Sequence, residues 1–219
     1  VVPSGAAARR LSGADLPSRP GALGEALHDA GLTAAVVGNG DRRSESGDIL
    51  ISRPAAVAVM DPAGSVDAGT IGSGLLRDDP AAPFGLTIDP DAFVAQARRA
   101  IDDADLVVLD PGEMDRVSAY APLVGVDQYE RLRIEALERT DAILGEVVAG
   151  LPDDALLLVL GMTPPSPRWE LTPAVAYGSG VRPGRLHSTS TNRDSLVTLT
   201  DVPSTLLDVL GAEEPQGMI

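Results

Sequence analysis

The chain contains no cysteine among its 219 residues, which removes thiolate nucleophiles, disulfides and every cysteine-based zinc or iron–sulfur site. It contains no lysine either, so a Schiff base, a lysine general base and the phosphate-binding lysine of a Walker motif are excluded. His28 and His187 are its only histidines, which excludes a metal site built from three histidines of one chain. Composition alone therefore excludes much familiar catalytic chemistry, and no cofactor is predicted.

Basic charge is scarce as well, because 17 arginines face 32 acidic residues and the formal net charge is -15. A nucleic acid would be repelled by this charge, so we expect no nucleic-acid partner. No stretch approaches the roughly 18 consecutive apolar residues that a membrane span needs. The chain begins Val1-Val2-Pro3, without an initiator Met or a signal segment, so we expect a mature chain or part of a longer protein.

The apolar residues, 44% of the chain, are arranged as short continuous runs that alternate with amphipathic segments. Runs that are apolar on both faces are typical of parallel strands covered by helices on both sides. We therefore predict an α/β fold with a mostly parallel central sheet and helices on both faces. Residues 1–19 are predicted to be a lead-in segment and residues 20–219 a single domain. Residues 61–90, rich in Gly, Pro and Asp, are expected to form an exposed loop excursion.

The expected elements follow from apolar period and from capping residues. Helices are predicted to begin near Pro20, Pro90, Asp127 and Pro203. The predicted strands are Thr33–Gly38, Ala55–Met60, Asp105–Asp110, Ala155–Leu160, Thr172–Tyr177 and Leu196–Thr200.

The long helix that is predicted to begin at Asp127 carries two apolar stripes. One stripe, expected to face inward, consists of Leu132, Ala136, Ile143 and Val147. Asp141 lies on the second stripe, which predicts a carboxylate that is buried and hydrogen-bonded for structural reasons. The apolar residues of this second stripe are Ile134, Leu137, Leu144 and Val148.

Binding sites in open α/β sheets form at the carboxyl ends of the strands. The group Asp110, Glu113 and Asp115 is the best candidate for a hard-cation site, since such a site needs several convergent oxygens. The alternative is that Asp and Glu simply favour a turn and the first turn of a helix. The residues predicted to line a cleft at the strand ends are Asn39, Asp41, Asp110, Glu113, Asp115, Thr163, His187 and Ser188.

His187 and Ser188 lie in a polar loop before the last predicted strand. His187 is a candidate metal ligand or acid–base group, and its alternative role is that of a solvated loop histidine. Ser188 is a possible nucleophile, but no Gly-x-Ser-x-Gly elbow surrounds it. The weak metal candidates are thus Asp110, Asp115 and His187.

Four segments taken together resemble the alkaline phosphatase superfamily, which includes sulfatases, cofactor-independent phosphoglycerate mutases and nucleotide pyrophosphatases. Two match the family's long helix with its following strand, and its near-terminal T-D-x-x-x-T-L-L pattern. The other two match its first helix and strand, and its strand that ends in acidic metal ligands. The segments are Pro20–Gly38, Asp105–Ser118, Asp141–Leu160 and Leu196–Gly211. The resemblance implies an alkaline phosphatase-like α/β fold.

The chain departs from the family at the residues that the family uses for chemistry. Gly161-Met162-Thr163-Pro164 stands where the family has Ser-Asp-His-Gly. Val117-Ser118-Ala119-Tyr120 stands where a metal-binding His would follow the acidic motif. The nucleophile would precede residue 20, where only Ser4, Ser12 and Ser18 are available. Two-metal transfer of a phosphoryl or sulfuryl group needs such ligands. The resemblance therefore implies a degenerate, metal-free member, with no catalytic residue assigned.

Three features together are similar to the extracytoplasmic domain of multi-spanning membrane proteins of actinobacteria: the strand with the degenerate Ser-Asp-His-Gly motif, the segment His187–Arg193 and the following Leu196–Gly211. This similarity implies a location in the cell envelope, outside the membrane, with tethering helices beyond this chain. The first hypothesis is a non-catalytic domain that binds an unknown small ligand or an envelope protein partner. The alternatives are an active metal-dependent phosphoester or sulfoester hydrolase with a rearranged site (Asp41, Asp110, Asp115 and His187) and a purely structural module.

Overall fold

The computed structural model describes residues 20–162 and 170–215, so the lead-in segment and Thr163 lie outside the described residues. The chain divides into two compact units, one up to Gly150 with Pro215 and one from Leu151 to Glu214. The single domain over residues 20–219 stays a prediction. Within the described ranges, no helix is long and apolar enough to cross a membrane.

The first unit contains five α-helices and seven strands in its described residues. The helices are α1 (Ala22–Asp29), α2 (Pro54–Val59), α3 (Pro90–Asp103), α4 (Glu113–Tyr120) and α5 (Val126–Val148). The strands are β1 (Ala34–Gly38), β2 (Arg42–Arg43), β3 (Ile49–Leu50), β4 (Ala68–Thr70), β5 (Leu76–Asp78), β6 (Leu86–Ile88) and β7 (Leu106–Asp110).

A three-stranded parallel sheet in the order β4-β1-β7 forms the centre of this unit. All five residues of β1 are buried. Because successive residues of a strand point to opposite faces, this burial means that both faces of β1 are covered. Helices α2 and α3 both pack against β1 and β7. The strands predicted at Thr33–Gly38 and Asp105–Asp110 are confirmed, as is an α/β fold in its general form.

The predicted helix near Pro90 is confirmed as α3, together with its capping residue. The Asp89 side chain accepts a hydrogen bond from the Ala92 amide at 3.0 Å, and Pro90 occupies the first turn. Phe93 and Ala97 are buried on the inner side of the helix. An amide that would otherwise lack a partner at the helix start is therefore satisfied by the residue that the sequence indicates.

Helix α5 confirms the inward stripe and contradicts the expectation for Asp141. The four predicted inward residues are all buried, whereas Ile134 and Leu137 are 50% and 43% exposed. Asp141 is exposed on the same outward side, so its predicted burial is wrong. The helix begins at Val126 after Gly125, which places Asp127 in the first turn and not at the cap. Residues at helical spacing can face solvent, and the spacing alone does not say which stripe is inside.

The segment Ala55–Met60, predicted to be a strand, is the short helix α2 instead. Pro54 occupies its first turn, where its fixed φ suits a helix and its missing N–H is not needed. Alanine is the best helix former, and three of the six helix residues are alanine. Ala56 and Val59, three positions apart, supply the buried side.

The predicted excursion at residues 61–90 is largely structured, which corrects that expectation. It supplies β4, an edge strand of the parallel sheet, and the antiparallel pair β5–β6. Leu75, Thr87 and Ile88 are almost completely buried. The segment has weak apolar patterning because its strands are only three residues long and are separated by turns.

The second unit contains β8 (Leu156–Leu160), β9 (Ala174–Gly178), β10 (His187–Ser188), β11 (Arg193–Asp194) and α6 (Asp201–Leu210). Strands occur where Ala155–Leu160 and Thr172–Tyr177 predicted them, but they pair antiparallel with each other. The predicted strand at Leu196–Thr200 is wrong, because these residues form no strand and lead into α6. Among the described residues, the parallel sheet is therefore limited to β4, β1 and β7, and the other sheets are two-stranded and antiparallel.

Candidate functional site

The carboxyl ends of β1 and β7 lie side by side, because Gly38 and Asp110 are paired in the parallel register. The residues that follow them form what we call the sheet edge: Asn39, Asp41, Asp110, Glu113 and Asp115, together with Gly112 and Arg116. Gly112 has φ of 68°, and a Cβ at this position would lie 1.9 Å from the Asn39 carbonyl oxygen. Only glycine fits this close approach, so the two loops are in direct backbone contact.

Asn39 is completely buried and links the end of β1 to the segment after β4. Its Nδ2 donates to the carbonyl oxygens of Ile71 and Gly72 at 3.1 and 3.0 Å. Its Oδ1 accepts from the Asp41 amide at 3.1 Å. The amide group of Asn39 is thus engaged by backbone on both sides, and its role in this structure is to order the sheet edge.

Asp41 is 1% exposed, and its side chain binds the segment that follows β3. Its Oδ1 accepts from the Ser52 amide at 2.9 Å, and its Oδ2 accepts from a guanidinium nitrogen of Arg53 at 3.0 Å. Each carboxylate oxygen therefore has a donor, and the charge has a partly buried counter-ion. Pairing of this kind is what a buried carboxylate requires.

Glu113 is the centre of a buried ionic group that we call the Glu113 cluster: Thr87, Glu113, Arg116 and Arg139. Glu113 Oε1 lies 2.7 Å from Arg116 and Oε2 lies 2.8 Å from Arg139. The Ile88 amide donates to Oε1 at 2.9 Å, and the Thr87 hydroxyl also donates to the carboxylate. Burial by itself would raise the pKa of Glu113, but the two guanidinium groups and these hydrogen bonds hold that pKa below its usual value.

Arg116 is 1% exposed and connects the Glu113 cluster to the loops of the sheet edge. It donates to the carbonyl oxygen of Asn39 at 3.0 Å and to that of Pro111 at 2.6 Å. No motif in the sequence drew attention to this residue. The signal that could have found it is the spacing of three between Glu113 and Arg116, which places opposite charges side by side on a helix.

Asp110 and Asp115 are the acidic residues of the sheet edge without an arginine ion pair in the described part of the chain. Asp110 is half-buried, and its Oδ1 accepts from the Gly112 amide at 2.9 Å. Burial raises the pKa of Asp110, and the nearby carboxylate of Asp115 acts in the same direction. Asp115 is exposed and lies against the Gly40 backbone.

The acidic residues of the sheet edge do not fit the cation site that their types suggest. Both oxygens of Glu113 and both oxygens of Asp41 accept hydrogen bonds from protein donors, arginines among them. Within residues 20–162 and 170–215, no three His, Asp or Glu side chains are placed to hold one metal ion. The positive charge at Asp41 and Glu113 comes from guanidinium groups.

His187 and Ser188 belong to the second unit. The His187 ring is exposed, with Nδ1 3.2 Å from a carboxylate oxygen of Asp194 on the paired strand β11. Ser188 is 5% exposed, and its hydroxyl donates to Asp201 at 2.7 Å at the start of α6. Asp201 also accepts from the Ser190 hydroxyl and from the Thr198 amide. In this arrangement the Ser188 hydroxyl is a donor that orders the loop.

The hydrogen bonds to Asp201 predict a pH-dependent stability of the second unit. Donation by the hydroxyls of Ser188 and Ser190 and by Thr198 holds the pKa of Asp201 far below its ordinary value of 3.8. A carboxyl whose pKa is lower in the folded state stabilises the fold above pH 3.8 and loses this contribution as the pH falls toward the lowered value. We expect Asp201→Asn to melt at a lower temperature than wild type at pH 7, with the difference shrinking below pH 3.8.

Circular dichroism melts of both proteins from pH 7 to pH 3 would measure this difference. Asp194→Asn is the matched control, since Asp194 is exposed and faces His187. A constant gap between wild type and Asp201→Asn across this range would contradict the role assigned to the carboxylate.

The chain matches no family model, no curated protein and no solved structure. The site is therefore defined by its own geometry. Asn39, Asp41, Asp110, Glu113 and Asp115 share the sheet edge of the first unit, His187 and Ser188 lie in the second unit, and Thr163 is outside the described residues. The residues that the sequence reasoning missed are Arg53, Thr87, Gly112, Arg116 and Arg139.

Proposed function

We propose that this chain is a non-catalytic extracytoplasmic domain of a membrane protein, with a degenerate alkaline phosphatase-like fold. It is metal-free and binds a small ligand or an envelope protein partner through the sheet edge. The sequence resemblance supports the fold family and the location, and the parallel strands β4, β1 and β7 are compatible with it.

The observation that carries the proposal is the pairing of Glu113 with Arg116 and Arg139, at 2.7 and 2.8 Å. A two-metal hydrolase needs carboxylate oxygens directed at ions a few Å apart. In this chain the buried Glu113 carboxylate, at the start of α4, contacts two guanidinium groups. The Asp41 carboxylate contacts the guanidinium group of Arg53. The arginines neutralise these carboxylates, as metal cations do in a two-metal site. They also fix the loops that a ligand would contact.

Activity assays test the non-catalytic part of the proposal. Purified protein, incubated with zinc, manganese or magnesium and with aryl phosphate and aryl sulfate esters, should give no turnover above the metal-only blank. Asp110→Ala is the informative variant, because Asp110 lacks an arginine partner in the described chain, and Asp127→Ala, exposed on α5, is its control. Metal-dependent turnover that Asp110→Ala abolishes and Asp127→Ala keeps would establish the alternative of an active phosphoester or sulfoester hydrolase.

The location can be tested with a reporter thiol, because the chain has no cysteine of its own. Ser46 lies in the exposed turn between β2 and β3, so Ser46→Cys should react when that turn faces the labelling reagent. In intact cells that make the full membrane protein, a membrane-impermeant maleimide should label this variant and leave wild type unlabelled. Labelling that requires cell lysis would contradict the extracytoplasmic assignment.

A further inference from the structure

Asn39 and Gly40 follow β1 at the sheet edge, and an asparagine before a glycine can react with its own backbone. The backbone nitrogen of the glycine attacks the side-chain carbonyl carbon of the asparagine, and glycine has no side chain that would hinder this approach. The chain has one other asparagine, Asn192, and it is followed by Arg193. Asn39-Gly40 is therefore the Asn-Gly pair of this sequence.

The reaction converts Asn39 to an aspartate and needs only water. A bond forms between the Gly40 nitrogen and Asn39 Cγ, the bond from Cγ to Nδ2 breaks, and Nδ2 leaves as ammonia with the proton of the Gly40 amide. Water then opens the cyclic imide at either of its carbonyl groups. The products are aspartate and isoaspartate, in which the main chain runs through the side-chain methylene. Each is heavier than asparagine by the difference between a hydroxyl and an amino group.

Both reacting nitrogen atoms are held by hydrogen bonds in the arrangement described above, which we call the closed sheet edge. Gly40 N donates to the Ser52 carbonyl oxygen at 2.7 Å and so retains the proton that it must lose. Asn39 Nδ2, the leaving group, donates to the carbonyl oxygens of Ile71 and Gly72 at 3.1 and 3.0 Å. Asn39 and Gly40 are both buried, away from the water that completes the reaction. The sheet edge must therefore open before Asn39 can react.

The product does not fit the closed sheet edge. An ionised aspartate at position 39 has no hydrogen to donate, so its carboxylate would face the carbonyl oxygens of Ile71 and Gly72 in a completely buried site. Isoaspartate would lengthen the main chain beside Gly112, where even an added Cβ would lie 1.9 Å from the Asn39 carbonyl oxygen. A sheet edge that has reacted therefore does not return to the closed arrangement.

We propose that Asn39-Gly40 is a latent site of spontaneous deamidation, which the closed sheet edge protects and which keeps the edge open once it has reacted. Closed molecules do not react, so the deamidation rate of the folded protein is set by the fraction of molecules whose sheet edge is open. The modification is thus a permanent record of local opening at this edge.

Mass spectrometry of protein held at mildly alkaline pH tests the protection. Trypsin cuts after arginine and places Asn39 and Asn192 in different peptides, so the reaction can be located. In concentrated urea the Asn39 peptide should gain the mass difference, and the Asn192 peptide should change more slowly because the Arg193 side chain hinders the attack. In native buffer the reaction at Asn39 should be at least about a hundredfold slower. No reaction at Asn39 in urea, or equal rates in urea and native buffer, would overturn the proposal.

Two arginine variants separate opening of the sheet edge from general destabilisation. Arg53 forms an ion pair with Asp41 at 3.0 Å and directly follows Ser52, whose carbonyl oxygen binds Gly40. Arg53→Met should speed deamidation in native buffer about tenfold, because this segment then opens more often. Arg98→Met is the matched control, since Arg98 forms an exposed ion pair outside the sheet edge, and it should react at the wild-type rate. Equal rates in the two variants would contradict the protective role of the closed edge.

The effect of the product is tested with Asn39→Asp, which carries the aspartate from the start. Hydrogen exchange at the Gly40 and Asp41 amides should be at least about tenfold faster than in wild type, because the two hydrogen bonds that Asn39 donates are lost. Asn192→Asp makes the same chemical change at an exposed residue and should leave exchange at these amides unchanged. Wild-type exchange in Asn39→Asp would show that the product fits the closed edge, and would overturn the second part of the proposal.

Discussion

Replacement of Glu113 by glutamine should lower the free energy of unfolding by about 3–5 kcal/mol. Glutamine keeps the shape and one acceptor oxygen but removes the charge that compensates Arg116, which is 1% exposed, and Arg139. A buried guanidinium without its counter-ion bears the cost of desolvation without the Coulombic gain. Urea unfolding of the two proteins, monitored by circular dichroism, measures the difference.

A surface pair gives the control for this prediction. Glu130 and Arg133 form an ion pair on α5 with the same spacing of three, at 3.0 Å, but the Glu130 side chain is about half exposed. Glu130→Gln should change the free energy of unfolding by less than about 1 kcal/mol. The double variant Glu113→Gln with Arg116→Met should lose less unfolding free energy than the two single variants lose in sum, since the two residues are in contact. Equal effects of Glu113→Gln and Glu130→Gln would mean that the Glu113 cluster is not buried.

Replacement of Gly112 by alanine should lower the free energy of unfolding by more than about 4 kcal/mol. Effects of this size arise from only a few mechanisms, and backbone strain is one of them. Its φ of 68° is unfavourable for any L side chain, and the new Cβ would lie 1.9 Å from the Asn39 carbonyl oxygen. Backbone faces backbone at this point, so no side-chain rotation can relieve the clash. The loops after β1 and β7 would have to separate, and the hydrogen bond from Arg116 to Asn39 would be strained.

Gly31 separates the two contributions to this effect. It has a φ of 74°, close to that of Gly112, but a Cβ there would have no neighbour within 4 Å. Gly31→Ala should therefore show the conformational cost alone, about 1–2 kcal/mol. Denaturant unfolding measures the loss of unfolding free energy in each variant. The difference between the two losses is the energetic cost of the clash at Gly112. Similar losses for Gly112→Ala and Gly31→Ala would show that the two loops are not in contact.

The sequence predicted the elements whose signals are local. Strands β1 and β7 are continuous apolar runs, and α3 has both a capping Asp89 and Pro90 in its first turn. The inward residues of α5 follow the helical period along 23 residues, which is long enough for the pattern to be clear. For these elements, local preference and tertiary burial agree.

The elements that the sequence did not predict either have an ambiguous local pattern or depend on neighbours distant in the chain. The pattern of a six-residue apolar run such as Ala55–Met60 is compatible with a strand or a helix. Pro54, in the first turn, favours the helix. Strand β4 is three residues long, and its register with β1 comes from pairing that no local pattern encodes. The prediction that Asp141 is buried was wrong for a related reason. Two stripes on α5 have similar apolar content, and only the packing shows which of them faces inward.

The position of the sheet edge could be predicted from the sequence, but the partners of its carboxylates could not. The carboxyl ends of β1 and β7 did bring Asn39, Asp41, Asp110 and Glu113 to one edge, since parallel strands end together. The arginines that neutralise two of these carboxylates come from other elements: Arg53 follows β3, and Arg139 lies on α5. A carboxylate's partner in space is not visible in its sequence neighbourhood, so these arginine counter-ions could not be predicted.

The hydrogen bonds of Arg116 also decide how a ligand would meet the sheet edge. One guanidinium group spans backbone carbonyls from residues more than 70 positions apart in sequence, Asn39 and Pro111. The loops there are consequently fixed before anything binds, and little conformational entropy remains to be lost on association. Recognition at this edge would resemble the docking of two rigid shapes, with selectivity set by fit and with little capacity to adapt to unrelated molecules.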